Sequence, residues 1–392
     1  MNKFAMAALV GGILALGGVS AVSAQSAQAV EHSGRVFHIR ACPTFEGPQS
    51  ARCFAHIVTD SRGNILMSNV TRNATPAGYS PAQLRAAYGL GSTATGSSAT
   101  TVAIVDAYGY PNAASDLATY RAQFGLPAAS LRIVNQTGGT KPPKTNTGWD
   151  QEQALDLDMV STMCPNCKIL LVQASSASYA NLGAAVNYAA SQGAHVISNS
   201  YGGSETGTLS YDSYYKHLGV AVTVSTGDSG YGAQFPATSE WVIAAGGTSL
   251  TMSNTTRGWS ETAWSGGGSG CSKVYAKPSW QTDTLCTTRM EADVSADADP
   301  NTGVAVFGPG SSGRSGWLVF GGTSVAAPLI GGIYGENGGT VNYGSNPYAK
   351  ISALNDVTSG SNGSCGGTYF CTAGPDYDGP TGLGTPNGNT AF

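Results

Sequence analysis

Charged residues are scarce in this chain. They make up 11% of its 392 residues, 19 Lys+Arg against 23 Asp+Glu, for a net charge of −4. No basic stripe or polybasic run stands out, which argues against nucleic acid and membrane surfaces as partners. Long apolar runs are missing after residue 22, so nothing later in the chain is expected to span a bilayer. Glycine is plentiful, at 54 residues, yet no Gly-Lys-Ser/Thr follows a strand, which excludes a phosphate loop. No solenoid-type repeat is present. Cys164-Pro165-Asn166-Cys167 has no second pair or His-x-His partner nearby, so a loop staple is a better reading than half a zinc site.

What is present is enough apolar material, 41% of residues, for one large domain behind a smaller N-terminal segment. Met1-Asn2-Lys3 and the apolar run Phe4 to Val22 read as a signal peptide, residues 1–24, with an alternative cut after residue 29. The expected product is secreted and extracellular, free of membrane, and a monomer. Eight cysteines fall into sequence-near couples, Cys42 with Cys53, Cys164 with Cys167, Cys271 with Cys286 and Cys365 with Cys371, which suggests local disulfides.

Residues 25–77 read as a short propeptide and linker with a strand-like piece from Cys53 to Val58. A helix start at Ser80-Pro81 opens the main domain, 78–392. Beyond it, β-branched runs at Thr101–Asp106, Ile169–Gln173, Val196–Ser198 and Val220–Val224 alternate with helical segments at Ala113–Phe124 and Leu182–Gln192. That alternation predicts an α/β fold with a mostly parallel central sheet flanked by helices.

The chemistry centres on Gly321-Gly322-Thr323-Ser324-Val325-Ala326-Ala327-Pro328. Ser324 either caps an ordinary helix or heads a buried one, where free N–H groups and the positive dipole end favour an oxyanion. Gly246-Gly247-Thr248-Ser249 repeats the letters, but a strand pattern follows it, which assigns Ser249 to structure. A reactive serine needs a base. Of the five histidines, His32, His38 and His56 lie in the N-terminal segment, while His195 and His217 take ordinary positions beside strands. Carboxylates are the stronger candidates. Glu152 and Asp156 stand one helical turn apart, and a buried pair sharing one proton could accept and return the proton of a serine. Exposed, the same pair would be an ordinary acidic helix start. Asp228, in Gly227-Asp228-Ser229-Gly230, leaves a strand at the carboxyl end of the sheet. Protonated, it could donate to an oxyanion; otherwise it is a turn residue.

In order and spacing these segments resemble the sedolisins, the serine-carboxyl peptidases, over roughly residues 78 to 392. The resemblance implies a subtilisin-like three-layer fold. It implies Ser324 as nucleophile, Glu152 as base, Asp156 orienting it, and Asp228 in the oxyanion hole. Ser200, Tyr201, Gly202 and Gly203 would line the peptide cleft. One calcium ion would be held in segment 355–386 by the carboxylates of Asp356 and Asp378 and the carbonyls of Val357, Gly374 and Asp376, the last standing where the family usually has glycine. Asp106 lies on a strand resembling the one that carries the aspartate of the subtilisin triad, without being a listed catalyst. The segment before Tyr79 is shorter than the family's folded prosegment, and its cysteine couple has no evident role. The expected activity is acid endopeptidase cleavage of peptides by a secreted enzyme. The competing expectations are a non-catalytic calcium-stabilised binding module and a conventional His-dependent peptidase.

Overall fold

The structure is a computed structural model describing residues 1, 28–69, 74–91, 96–339 and 341–392. The signal-peptide segment lies largely outside the described residues. The central sheet has eight strands. Its path runs Trp259–Ala263, Ile243–Met252, Ala221–Ser225, Val196–Asn199, Thr101–Ala107, Lys168–Ala174 and Ser130–Asn135, and Val294–Asp297 also pairs with Ile243–Met252. All these pairings are parallel except that of Trp259–Ala263.

Helices cover both faces because the strands are apolar on both. Val102 and Ile104 join one hydrophobic cluster with Leu155, Met159 and Ile330, while Ala103 and Val105 join another with Leu182 and Val186. The predicted segments appear with small boundary shifts, as Ala113–Gln123 and Tyr179–Ser191 among helices and Lys168–Ala174 among strands. Ser80 forms the expected helix start, with a capping box to Gln83 over Pro81–Ala87. All four predicted disulfide couples are formed.

Two helices meet on one face of the sheet. Thr147–Met163 carries the paired acids, and Thr323–Asn337 begins with the candidate nucleophile and is buried from Thr323 to Gly335. Small residues let them approach: a Cβ on Gly332 would stand 2.6 Å from the Cβ of Met163. Such a helix has no solvent face, which explains its run of alanine and glycine.

The N-terminal segment is woven into this body. His56–Thr59 pairs with Val36–Arg40 and with Ser315–Gly321, the strand that leads into the nucleophile, in a five-stranded antiparallel sheet. Arg52–Cys53 pairs antiparallel with Tyr201–Ser204, which pairs on its other edge with Gln234–Phe235. A Gly332→Val substitution would overpack the helix contact and should cost about 1–3 kcal/mol, read as a lower denaturant midpoint with unchanged slope.

Candidate active site

Each candidate side chain sits where a secondary-structure element ends or turns toward the same corner. The strand Thr101–Ala107 delivers Asp106 at its carboxyl end, Val196–Asn199 delivers Ser200, and Ala221–Ser225 runs on to Asp228. The helix Thr147–Met163 presents Glu152 and Asp156. Ser324 lies in the first turn of the helix Thr323–Asn337. Asp106, Glu152, Asp156 and Ser324 are fully buried, and Asp228 nearly so.

Asp228 is pinned to the start of the helix Thr323–Asn337. Thr323 N–H and Thr323 Oγ1 donate to Asp228 Oδ1 at 2.8 and 2.7 Å. Ser225 Oγ donates to the Thr323 carbonyl at 2.9 Å, and Gly227 N–H donates to Thr323 Oγ1 at 3.1 Å. Asp228 thereby occupies the positive end of the helix, where a carboxyl group complements exposed N–H groups. Its other oxygen, Oδ2, has no hydrogen-bond donor among the described residues. Gly322, with φ +96°, makes the turn between strand and helix. A Cβ there would overlap the Phe54 carbonyl oxygen and lie 2.9 Å from Asp228 Oδ2.

The acids opposite form a cluster short of donors. Ala55 N–H donates to Glu152 Oε2 at 2.9 Å, and Ser200 Oγ donates to Asp156 Oδ1 at 2.8 Å. Among the described residues, both oxygens of Asp106 and Oδ2 of Asp156 meet no donor. Burial pushes the carboxyl of Glu152 well above its usual range, and Asp106 adds to this while the Ser324 hydroxyl opposes it. Burial likewise raises Asp156, with Asp106 and Glu152 adding to the effect. Asp106 itself is pushed up to about 8 by burial. Acids so placed hold protons between them, because ionising all of them would set like charges together in an apolar volume.

The sequence pattern of the subtilase family matches residues 125–337. The chain belongs to the subtilase family. Its relatives include kumamolisin and sedolisin. Kumamolisin from Bacillus sp. (strain MN-32) is 29% identical over 360 residues, covering 81% of this chain and 64% of kumamolisin. Sedolisin from Pseudomonas sp. (strain 101) is 27% identical, covering 79% of this chain and 60% of sedolisin. The chain therefore spans less than two thirds of the length of these relatives. A solved structure of Pseudomonas sedolisin, a serine-carboxyl proteinase complexed with two molecules of pseudo-iodotyrostatin, matches with a TM-score of 0.69 at 28% identity, over 80% of this chain and 96% of that one.

Against this subtilase frame, the predicted site residues fall into three groups. Ser324, Glu152, Asp156 and Asp228 come together as described, and Ser200 joins them through Asp156. Tyr201, Gly202 and Gly203 lie on a strand whose edge is taken by Arg52–Cys53. The calcium candidates gather elsewhere, around the turn 374–378. Asp376 N–H donates to Asp356 Oδ2 at 3.1 Å, and Gly374 N–H donates to Asp378 Oδ2 at 3.0 Å. Asp376 has φ +68°, which accounts for the glycine usual at this position in the family. Asp378 is fully buried and pushed up to about 7 by that burial, with Asp356 adding to the rise.

Sequence reasoning passed over several neighbours. His195 and His217 are indeed off the site: the first lies at the amino end of its strand, accepting from Thr101 N–H at 3.2 Å, and the second bonds the Tyr214 carbonyl. His56, set aside as part of the N-terminal segment, sits with Nε2 at 3.3 Å from Asp228 Oδ2. Its Nδ1 is 2.8 Å from His38 Nδ1, so the two rings share a hydrogen. Phe54 N–H donates to Ser324 Oγ at 3.2 Å and to the Ser200 carbonyl at 3.3 Å. No local signal marks these residues, because only strand pairing brings them to the corner.

The raised Asp106 fixes a sign. The folded chain keeps a proton that the unfolded chain loses above 3.8, so the resulting stability is full below that value and is lost as pH rises through about 8. Asp106→Asn should therefore flatten the fall in melting temperature between those limits. An unchanged slope in calorimetric scans would contradict the assignment.

Proposed function

We propose that this subtilase is a secreted serine-carboxyl endopeptidase that cleaves peptides at acid pH. The observation that carries the reading is the burial of Glu152 among Asp106 and Asp156, without exposure to water, beside Ser324. Ser324 Oγ attacks the peptide carbonyl while Glu152 takes its proton and later returns it to the leaving nitrogen. Asp156, held by Ser200, orients Glu152 and shares its proton. Asp228 directs Oδ2 toward the oxyanion and supplies a hydrogen bond to it there. Substrate lies as an extended strand along Tyr201–Ser204. The likeness to kumamolisin and sedolisin, the four disulfides and the sequence of residues 1–24 support export. No helix among the described residues is long and apolar enough to cross a membrane.

Calcium fits the C-terminal turn. Two carboxylates brought together, one of them buried, call for either a proton or a cation, and the carbonyls of Val357, Gly374 and Asp376 add the hard oxygen donors that calcium takes. When bound, the ion would neutralise Asp356 and Asp378 and hold the turn. It supplies no catalytic step.

Ser324→Ala and Glu152→Gln should fold with native melting behaviour yet lose peptide hydrolysis by at least about 10³-fold. Full activity of either at acid pH would sink the mechanism. A chelator should lower the melting temperature of the unaltered protein, and Asp378→Asn should abolish that response. An identical chelator effect in the variant would place calcium elsewhere.

A further inference from the structure

Three short strands of the N-terminal segment put two histidines and a glutamate on one face of their sheet. Glu31 pairs with His38 between Glu31–Ser33 and Val36–Arg40, and Arg40 in turn pairs with His56 of His56–Thr59. Opposed residues and residues two apart along a strand share a face, so Glu31, His38, Arg40 and His56 project together. His38 and His56 are buried, while the Glu31 side chain is 34% exposed. The Nδ1 atoms of the two rings meet at 2.8 Å, and Glu31 Oε2 lies 4.0 Å from His56 Nδ1. One donor atom from each of the three residues falls within 4.8 Å of the others. A hydrogen-bonded imidazole pair needs only two members. A third donor aimed at the same point is what a metal ligand set adds.

The surroundings hold these donors in place. Arg40 Nε donates to Glu31 Oε1 at 2.6 Å and Arg40 Nη2 to Oε2 at the longer 3.2 Å, so Oε1 is the anchored oxygen and Oε2 the one turned toward the rings. The guanidinium is itself fixed by the Asp228 carbonyl at 2.8 Å. On the far side of His56, Nε2 lies 3.3 Å from Asp228 Oδ2, which is the carboxylate partner that metal-bound imidazoles ordinarily have. Trp264 packs edge-on against the same ring. Arg40 and Arg52 are the nearby cations, and Glu31, Asp228 and Asp299 the nearby acids, so an entering dication meets negative as well as positive groups.

We propose that Glu31 Oε2, His38 Nδ1 and His56 Nδ1 together bind one divalent transition-metal ion of the zinc class, with water in the fourth position. This site is separate from the calcium turn at the C-terminus and does not depend on the peptidase reading. Two imidazole nitrogens exclude calcium and magnesium, which take oxygen. Two nitrogens and one carboxylate oxygen form a set that zinc accepts while keeping one position open.

Binding asks little of the fold. Nitrogen ligands of a tetrahedral zinc ion stand about 3.3 Å apart, so the two rings part by about half an ångström from their metal-free contact, and Glu31, the exposed member, swings in to join them. The ring that carried the shared hydrogen on Nδ1 carries it on Nε2 instead, so both rings stay neutral and no proton is lost. The ion then cross-links strands of three, five and four residues. The disulfide Cys42–Cys53 closes the loop between the second and third of these and does not reach the first.

The untagged full-length chain, freed of transition metals and kept in excess calcium so that the C-terminal turn is filled, would be titrated with zinc chloride by calorimetry at neutral pH, with intact mass confirming that residues 31 to 56 are present. The expected result is one zinc ion per chain with a dissociation constant of about 10 μM or tighter, and a higher melting temperature in its presence. His38→Asn and His56→Asn should each weaken binding at least about 100-fold, and Glu31→Gln at least about tenfold. Cobalt(II) in place of zinc should give the intense visible bands of a four-coordinate ion, lost in both histidine variants. Because Glu31 is partly exposed, Glu31→Gln should keep the metal-free melting temperature, and it decides the matter where a buried histidine variant fails to fold. No zinc binding tighter than about 1 mM, unchanged affinity in any one of the three variants, or the weak bands of six-coordinate cobalt would overturn the proposal. Unchanged affinity in both histidine variants would place the ion elsewhere, as at His195 or His217.

Discussion

Three carboxyl groups, Asp106, Glu152 and Asp156, share one volume closed to water, and the cost of ionising them together governs what surrounds them. Water would solvate separate charges cheaply; the interior cannot. Protons stay on the cluster unless a cation enters, and Asp106 and Glu152 both push Asp156 upward. A serine facing such a cluster meets a base that is also an acid.

The scaffold serves that cluster. Parallel strands end together at one edge of the sheet, so acids and turns far apart in sequence arrive side by side. The nucleophile helix can be buried because glycine and alanine let it lie close to the acid-bearing helix. Burial of one helix start then leaves its N–H groups in need of acceptors, which Asp228 partly supplies. Its second oxygen remains open toward the Phe54 carbonyl and His56. One residue therefore connects the start of the buried helix with the N-terminal segment.

That segment has the least to say as sequence and the most as structure. The short run around Cys53 reads as a strand, and the disulfide Cys42–Cys53 reads only as local. In the fold, the disulfide braces a strand paired with Tyr201–Ser204, and His56 becomes a neighbour of Asp228. A histidine's importance depends on what lies within a few ångströms of it, and sequence position does not encode that when partners come from other elements.

The sequence by itself determined the alternation of strands and helices, since side-chain period and glycine punctuation are local properties. It also determined the nucleophile turn, the one-turn spacing of Glu152 and Asp156, and the pairing of near cysteines, all of which act over short stretches of chain. Tertiary structure alone decided that the acids are buried rather than solvated, because burial is a property of what packs above a helix. It alone brought Asp106 into their cluster from another strand. And it alone laid Arg52–Cys53 along Tyr201–Ser204, because a sheet edge accepts any strand of matching register and only the folded chain shows which one has docked.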